Sequence, residues 1–429
     1  MRNRDDKTRL LCVMLAGALS SLARAAAPVA TSGVTGLWDA TVRIGSLQVP
    51  FKFGIEAGPA NATGWFFNGK EHVSATDGNF DGKHLVLNFA SYAKRLDATL
   101  AADGTLDGVY APTAPRSSAQ RYIFHAHRAI TSKTTAAETA PDIAGLWILP
   151  TRSEKAGENA WRFIISQSGV QISAAILRVD GDTGALTGTW RNGKVLLSHF
   201  DGARPSVIEL SPAADGTLHL VVRNRSGAEV TLTAYRAPQA RSKGLPKAAD
   251  PTLHTTVRDP QQPFQFSFPD LNGHTVSSTD RRFLGKVLVV DIAGSWCPNC
   301  HDEAPFLESL YKKYHTRGLE VVTLSFEESE QLVNPVRLRA FTHQFGLTYT
   351  VLLAGTPDEL HAKLPQAVGL DAYPTTFFLG RDGRVRAIHA GFAAPATGAF
   401  NTNLKKEFTT RIEQLLAEQY VGKSSTQGL

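Results

Sequence analysis

Two cysteines separated by two residues, Cys297 and Cys300, stand directly after an apolar run and at the start of a segment with helical character. On oxidation such a pair can close a small ring. The unpaired N–H groups and the dipole at the start of a helix favour the thiolate form of the first cysteine. Because a thiolate attacks disulfides and a thiol does not, the motif predicts thiol–disulfide exchange.

The N-terminus has the order of features typical of a secretory signal peptide. Basic residues come first, an apolar run follows at 10–22, and small residues occupy 23–27. The apolar run is too short to span a bilayer comfortably. We therefore predict a signal peptide at 1–27 and an exported protein, periplasmic in a Gram-negative bacterium, with no stable membrane insertion after cleavage.

Cleavage would change both the thiol content and the charge of the chain. The chain has three cysteines, and Cys12 would leave with the signal peptide, so the only remaining thiols would be Cys297 and Cys300. No disulfide scaffold is then possible beyond this pair, and the folds must rest on hydrophobic cores. The formal net charge would fall from +6 to +3, because five basic and two acidic residues are removed. Such a mild charge does not indicate a nucleic-acid partner.

The first half of the chain repeats itself. Gly-Leu-Trp occurs at 36–38 and 145–147, and Ala-Ala-Asp-Gly-Thr-Leu occurs at 101–106 and 213–218. Both offsets are about 110 residues, which indicates two related modules in one chain. We place these modules, repeat 1 and repeat 2, at 33–129 and 143–237.

Both repeats are dense in short strand-like runs separated by Asx-Gly pairs, among them Asn192-Gly193 and Asp201-Gly202. This pattern is typical of antiparallel β-sheets that form small barrels or sandwiches. The sequence leaves open whether each repeat closes alone or both share one core. A Thr/Ala-rich stretch at 131–141 and a proline-rich stretch at 238–262 are predicted to be linkers.

Beyond residue 262 the hydrophobic period changes to alternating strands and helices. Strands are predicted at 264–268, 286–292, 319–326, 349–353, 375–379 and 384–389, and helices at 300–316, 336–345 and 404–418. Strands alternating with helices, then a hairpin and a final helix, predict an α/β domain with a mixed sheet at 263–422. The fold class is thus multidomain: two antiparallel β-rich repeats followed by an α/β domain.

This last part of the chain resembles the thioredoxin fold, and within it the exported TlpA-like and ResA-like thiol–disulfide oxidoreductases. The features that carry the resemblance are the strand before the cysteines, the Trp-Cys-x-x-Cys motif, Glu303 with Pro305, Tyr373-Pro374-Thr375, and the terminal hairpin and helix. The resemblance covers a little over a third of the chain. It implies that Cys297 is the nucleophile and that Cys300 resolves the mixed disulfide.

The resemblance also assigns roles to two acidic residues. Asp291 stands where thioredoxin has a buried carboxylate behind the cysteines, and such a group would take the proton of Cys300 and raise thiol pKa values. Glu303 matches an acidic residue that the TlpA-like and ResA-like proteins carry near their cysteines. The alternatives are a solvated strand end for Asp291 and compensation of the helix N-terminus for Glu303.

Four residues are expected to contact substrate. Trp296 would shield the sulfurs and offer an apolar contact, with ordinary core packing as the alternative. Pro374, between Tyr373 and Thr375, matches the cis-proline that faces the cysteines in this fold, and it would present a short β-like edge to a substrate chain.

Two other functions fit parts of the sequence. Cys297-x-x-Cys300-His301 is also the attachment pattern of a c-type haem, although the mature chain would lack a methionine ligand and a strand leads directly into the motif. The β repeats also fit a binding or scaffold protein that holds a partner for the redox domain. We expect His301 to lie on the helix surface, where it would tune Cys297.

The sequence thus predicts a protein-disulfide reductase with disulfide-bearing proteins as substrates. No cofactor beyond the redox-active Cys297–Cys300 disulfide is expected, and no metal. In an oxidising compartment a reductase needs electrons from elsewhere, so a membrane-bound thiol donor is the expected partner.

Overall fold

The computed structural model of the protein describes residues 33–59, 61–114, 121–130, 139–223 and 227–419. The predicted signal peptide and most of the predicted linker at 131–141 lie outside these residues. No helix within the described ranges is both long and apolar enough to cross a membrane.

Repeat 1 forms one antiparallel sheet of nine strands: β1 Gly36–Ile44, β2 Leu47–Ala57, β3 Ala62–Asn68, β4 Glu71–Ser74, β5 Asp77–Phe80, β6 His84–Phe89, β7 Lys94–Leu100, β8 Leu106–Pro112 and β9 Tyr122–Arg128. The strand order is β4-β3-β2-β1-β9-β8-β7-β6-β5. Buried residues alternate with less buried ones along the strands, as in β6. The sheet curves into a half-barrel around an aromatic core.

Repeat 2 forms a second antiparallel sheet of nine strands: β10 Gly145–Pro150, β11 Ala160–Ser168, β12 Gln171–Arg178, β13 Gly181–Asp182, β14 Leu186–Arg191, β15 Lys194–His199, β16 Ser206–Pro212, β17 Leu218–Arg223 and β18 Glu229–Arg236. Its order is β11-β10-β18-β17-β16-β15-β14-β12-β13, and an additional pairing of β11 with β12 closes it into a barrel. Closure removes the sheet edges. The barrel encloses a hydrophobic core that is made of residues of repeat 2.

The two sheets share contacts that match the sequence repeat. In each, the tryptophan of the first strand donates from Nε1 to the carbonyl four residues earlier, at 3.0 and 2.9 Å. An arginine of the last strand lies over each indole ring, Arg128 over Trp38 and Arg236 over Trp147. The recurring sequence motifs therefore occupy equivalent positions in the two sheets.

The segment predicted to be a linker at 238–262 has secondary structure of its own. It contains α1 Ala237–Ser242, α2 Pro251–His254 and β19 Thr256–Val257. β19 pairs with residues Ala367–Val368 of the C-terminal domain. The prolines begin short helices here, since Pro251 follows the Asp250 N-cap, instead of keeping the chain extended.

The C-terminal domain follows as β20 Ser267–Pro269, β21 Thr275–Ser277, β22 Val287–Ala293, α3 Pro298–Tyr314, β23 Leu319–Phe326, α4 Ser329–Val333, α5 Val336–Gln344, β24 Thr350–Gly355, α6 Leu360–Lys363, β25 Ala367–Val368, β26 Thr375–Leu379, β27 Val385–Ala390 and α7 Ala399–Ala417. Short 3-10 helices occur at Ala90–Tyr92, His315–Arg317, Pro357–Glu359 and Pro395–Thr397. The strand predicted at 264–268 is shorter and shifted, and the closing helix begins at Ala399 and not at residue 404.

Five strands of this domain form a mixed sheet in the order β24-β23-β22-β26-β27. β22, β23 and β24 are parallel, while β26 and β27 are antiparallel to their neighbours. Two hydrophobic clusters cover its two faces, so all seven residues of β22 are buried. The α/β prediction with a mixed sheet is confirmed.

The loop between β15 and β16 joins the two repeats. It carries Phe200, which is 1% exposed and lies in the aromatic core of repeat 1. Its ring centroid is 4.9 Å from that of Phe51 and 5.1 Å from that of Phe66. A side chain of repeat 2 thus completes the core of repeat 1, and Arg204 of the same loop contacts the C-terminal domain.

Candidate active site

Cys297 is the N-cap residue of α3. Its backbone is extended, Pro298 follows as the first helical residue, and its Sγ accepts a hydrogen bond of 3.3 Å from the N–H of Cys300. The proline costs no hydrogen bond, because the first N–H groups of a helix have no partner within the helix. The strand–turn–helix sequence therefore puts one sulfur where helix N–H groups stabilise a thiolate.

Both cysteines are free thiols in this structure, and both are buried. Cys297 is 4% exposed and Cys300 is 2% exposed. Burial raises the pKa of Cys300 well above its usual range, and the hydrogen bond and charge of Cys297 and the charge of Asp291 raise it further. Cys300 is therefore held as a thiol that must lose a proton before it can attack a disulfide.

The loop before β26 faces Cys297. The Tyr373–Pro374 peptide bond is cis, and the Sγ of Cys297 donates to the carbonyl of Tyr373 at 3.4 Å. The side chain of Thr375 is fully buried and donates to the carbonyl of Ala372 at 2.8 Å. The side chain of Thr375 is therefore not available to a substrate.

Two half-buried aromatic rings stand beside the thiol. The ring centroids of Trp296 and Tyr373 are 5.1 Å apart, and both rings pack against the cysteine cluster. The indole Nε1 of Trp296 donates to the carbonyl of Phe326 at 2.8 Å. The two rings thus cover the Cys297 sulfur, as the shielding role predicted for Trp296 requires.

The two predicted acids lie behind the cysteines. Asp291, on β22, is 4% exposed and accepts from the Thr323 hydroxyl at 2.9 Å. Glu303, on α3, is 1% exposed and accepts from the Thr376 hydroxyl at 2.7 Å. Burial excludes the solvated strand end for Asp291. Glu303 lies beyond the first turn of α3, which contains no acidic residue, and this disfavours compensation of the helix N-terminus.

Burial makes both carboxyl groups weak acids. Burial raises the pKa of Asp291 to about 7. It raises the pKa of Glu303 well above the usual range, and the charge of Asp291 adds to this effect. One oxygen of each carboxyl has no hydrogen-bond partner. Groups of this kind can exchange protons near neutral pH, which a resolving thiol with a raised pKa requires.

A buried ion pair, absent from the sequence-based site, holds the turn before Cys297. The carboxylate of Glu327 accepts from the N–H and the hydroxyl of Ser295, each at 2.7 Å, and from Arg337 at 2.8 Å. Arg337 also donates to the Ser295 hydroxyl at 2.8 Å. The only sequence signal was a charged pair, Glu327-Glu328, directly after an apolar strand.

The β repeats contact the start of α3, which the sequence also did not indicate. Tyr92 of repeat 1 stacks on His301 with ring centroids 4.4 Å apart. Arg204 of repeat 2 donates to the side-chain oxygen of Asn299 at 2.5 Å. Lys155 of repeat 2 contacts Asp371, close to the cis-proline.

His301 is not a surface residue, so that expectation is wrong. It is 7% exposed, and its Nε2 donates to the carbonyl of Ser295 at 2.8 Å. Burial lowers its pKa to about 4, so the ring is neutral at ordinary pH. Within the described ranges, no group of three or more His, Cys, Asp or Glu residues is arranged to hold a metal ion.

A dithiol at the start of a helix, beside a central parallel strand and opposite a cis-proline, defines the thioredoxin-like class. The C-terminal part of the chain is a thioredoxin-like domain, as the sequence resemblance implied. Residues 257–401 match the Redoxin family. The match ends before α7 is complete and leaves both β repeats outside it.

Curated relatives of this domain are thiol–disulfide oxidoreductases. The chain is 28% identical over 120 residues to ResA of Bacillus thuringiensis (strain Al Hakam), an alignment that covers 28% of this chain and 62% of that protein. It is 29% identical over 126 residues to ResA of Geobacillus thermodenitrificans (strain NG80-2), covering 29% and 66%. The chain thus spans less than two thirds of the length of these relatives.

Among solved structures, a thioredoxin-family thiol:disulfide interchange protein from Chlorobium tepidum TLS is 25% identical. The superposition has a TM-score of 0.30 and covers 38% of this chain and 99% of that one.

Proposed function

We propose that the protein is an exported thiol–disulfide oxidoreductase that reduces disulfides of exported proteins through Cys297 and Cys300. One observation carries this proposal. The Sγ of Cys297 caps α3, accepts the N–H of Cys300, and lies 3.4 Å from the Tyr373 carbonyl of the cis-proline loop. Named ResA relatives of the same domain support it.

In the proposed reaction the thiolate of Cys297 attacks one sulfur of a substrate disulfide. A Cys297–substrate disulfide forms, and the other substrate sulfur leaves as a thiolate that takes up a proton. Cys300 then loses its proton and attacks the sulfur of Cys297. The Cys297–Cys300 disulfide forms, the substrate leaves as a dithiol, and two electrons have passed to it.

Asp291 and Glu303 would handle the proton of Cys300. The pKa of Asp291 near 7 suits a group that accepts a proton during resolution and releases it later. Its charge opposes ionisation of Cys300, so a deprotonated Asp291 also favours the dithiol over a thiolate. This supports a reductase over an oxidase.

Substrate would dock on the cis-proline edge, between Trp296 and Tyr373. Because Cys297 is 4% exposed in the free protein, attack requires these half-buried rings to move aside. The Tyr373 carbonyl, now bonded to the thiol, would then be free for the backbone of an extended substrate.

The proposal of export is based on the N-terminal sequence. The proposed source of electrons is based on the oxidising compartment that export implies. An exported reductase must be reduced after each turnover, and a membrane-bound thiol donor would supply the two electrons. The haem alternative is disfavoured by His301, whose Nε2 is bonded to Ser295 while Tyr92 covers the ring. That nitrogen would have to leave both contacts to ligate iron.

The test uses the mature chain with Cys297→Ser and Cys300→Ser variants. Wild-type protein should reduce insulin disulfides with dithiothreitol as donor, and neither variant should turn over. Cys300→Ser should accumulate a mixed disulfide with a peptide substrate, and Cys297→Ser should not. A redox titration against glutathione sets the direction, because a potential well below that of glutathione is expected of a reductase. A potential well above it would overturn that assignment.

A further inference from the structure

The loop between β15 and β16 presents a fixed arginine to the redox domain. Asp201, fully buried, accepts from the backbone N–H groups of Ala203 and Arg204, each at 3.0 Å. It also binds the guanidinium of Arg204 through Nε at 2.9 Å and Nη2 at 2.7 Å. The orientation of Arg204 is therefore set within repeat 2, by a two-point contact between a guanidinium and a carboxylate.

The same guanidinium also faces α3, while its Nη1 donates to the carbonyl of Asp182 within repeat 2 at 3.2 Å. Nη1 donates to Oδ1 of Asn299 at 2.5 Å, and Nη2 lies 3.4 Å from a carboxylate oxygen of Asp302. Asn299 completes the contact through Nδ2, which donates to the carbonyl of Asp180 at 3.2 Å. Both ends of a buried amide between the two cysteines are thus held by repeat 2.

Glycine at position 181 is needed for this approach. Its φ is +119°, and a Cβ there would lie 1.8 Å from Nδ2 of Asn299. Repeat 2 therefore offers a surface shaped to receive the Asn299 side chain, with a donor on one side and an acceptor on the other.

We infer that Arg204 is a positioning residue for disulfide exchange: by holding Asn299 it fixes the first turn of α3, and with it the N–H of Cys300 that binds the Cys297 sulfur. The inference rests on the proposed function. If the inference holds, repeat 2 contributes to the chemistry by holding the helical turn that carries the two cysteines.

The effect works through geometry. The charge of Arg204 is balanced mainly by the buried carboxylate of Asp201, so little of its field is left for the sulfur. Asn299 is the residue directly before Cys300, and any freedom in its side chain and backbone passes to the Cys300 N–H, which donates to the Cys297 sulfur. A looser turn stabilises the thiolate less and holds the two sulfurs less well for ring closure.

The test compares Asn299→Ala, Arg204→Lys, Arg204→Ala and the double variant Asn299→Ala/Arg204→Ala in the full mature chain. Two readouts are the rate of Cys297 alkylation by iodoacetamide and the equilibrium constant of the dithiol with glutathione. Each single variant should change both by about three- to tenfold, as expected for residues coupled in one hydrogen-bond network. The double variant should match Asn299→Ala alone. Arg223→Ala, at an exposed ion pair of repeat 2, is the matched control and should resemble wild type.

Arg204→Ala leaves Asp201 without its main partner and can fail to fold, in which case Asn299→Ala and Arg204→Lys decide, since neither leaves that charge unbalanced. Unchanged alkylation and redox equilibrium in these folded variants would overturn the inference. So would effects of Arg204→Ala and Asn299→Ala that simply add. If wild-type protein itself exchanges no disulfide, the proposed function fails instead, and this outcome is separate because it does not depend on position 204.

Discussion

The hydroxyl of Thr376 donates a hydrogen bond of 2.7 Å to Oε1 of Glu303. Thr376 is also the residue of β26 that pairs directly with Asp291 of β22. One threonine thus connects the two buried acids, one on the central strand and the other on the helix that carries the dithiol. The charge of Asp291 also raises the pKa of Glu303, so the two carboxyl groups titrate as a pair.

Asp291→Asn should lower the pKa of Cys300, because the charge of Asp291 is among the causes that raise it. Titration of the thiolate absorbance in the reduced protein measures this directly, with Cys297→Ser in the background to isolate Cys300. Glu330→Gln, which removes an exposed carboxylate of the same domain, is the control. An unchanged titration in Asp291→Asn would remove the residue from the proposed mechanism.

Asp291 should also make stability depend on pH. Its pKa in the folded protein is raised to about 7, so its contribution to stability is fully present below its unfolded pKa and is lost as pH rises through about 7. A difference of one pH unit between the folded and the unfolded pKa corresponds to about 1.4 kcal/mol of unfolding free energy. Urea unfolding of the reduced protein from pH 4 to 8 should show Asp291→Asn gaining stability relative to wild type as pH rises. A constant difference across this range would contradict the raised pKa.

The thioredoxin-like domain was predictable because its determinants are local. Each of its features can be recognised from a few consecutive residues: the strand, the cysteines, the first helical turn and the Tyr373-Pro374 pair. The resemblance to a known family then indicated how these features are arranged in space. The pairing of the acids through Thr376 was not predictable, since it depends on which residues of β22 and β26 are in register.

The interface with the β repeats was not predictable for a similar reason. Asp201-Gly202 has the residue types of a turn, and it does lie in a loop between two strands. These residue types do not show that Phe200 of the loop packs into repeat 1. They also do not show that Arg204 contacts Asn299, 95 positions further along the chain. The error on His301 has the same origin, because its ring is covered by residues distant in the sequence: Tyr92 of repeat 1, and Phe341 and Phe345 of its own domain.

Trp296→Ala should speed the alkylation of Cys297 by iodoacetamide. The indole packs over the sulfur of Cys297, which is only 4% exposed. If moving the indole aside costs about 1.4 kcal/mol, alkylation is slowed about tenfold. Reduction of a protein disulfide should become slower, since the apolar docking contact is lost. Trp161→Ala, an indole in repeat 2, serves as the control. Equal alkylation rates in wild type and Trp296→Ala would show that the indole does not restrict access.

Tyr92→Ala should raise the pKa of His301 from about 4 towards its ordinary value of 6.5, because burial is the main cause of the lowered pKa. The neutral ring contributes stability that is present above the unfolded pKa and is lost as pH falls towards 4. Loss of the stacked pair itself costs about 1 kcal/mol. NMR titration of the imidazole, with Tyr235→Ala of repeat 2 as the matched control, measures the change in pKa. If the pKa of His301 stays near 4 in Tyr92→Ala, the helices of the redox domain alone bury the ring, and the contact with repeat 1 adds nothing to its environment.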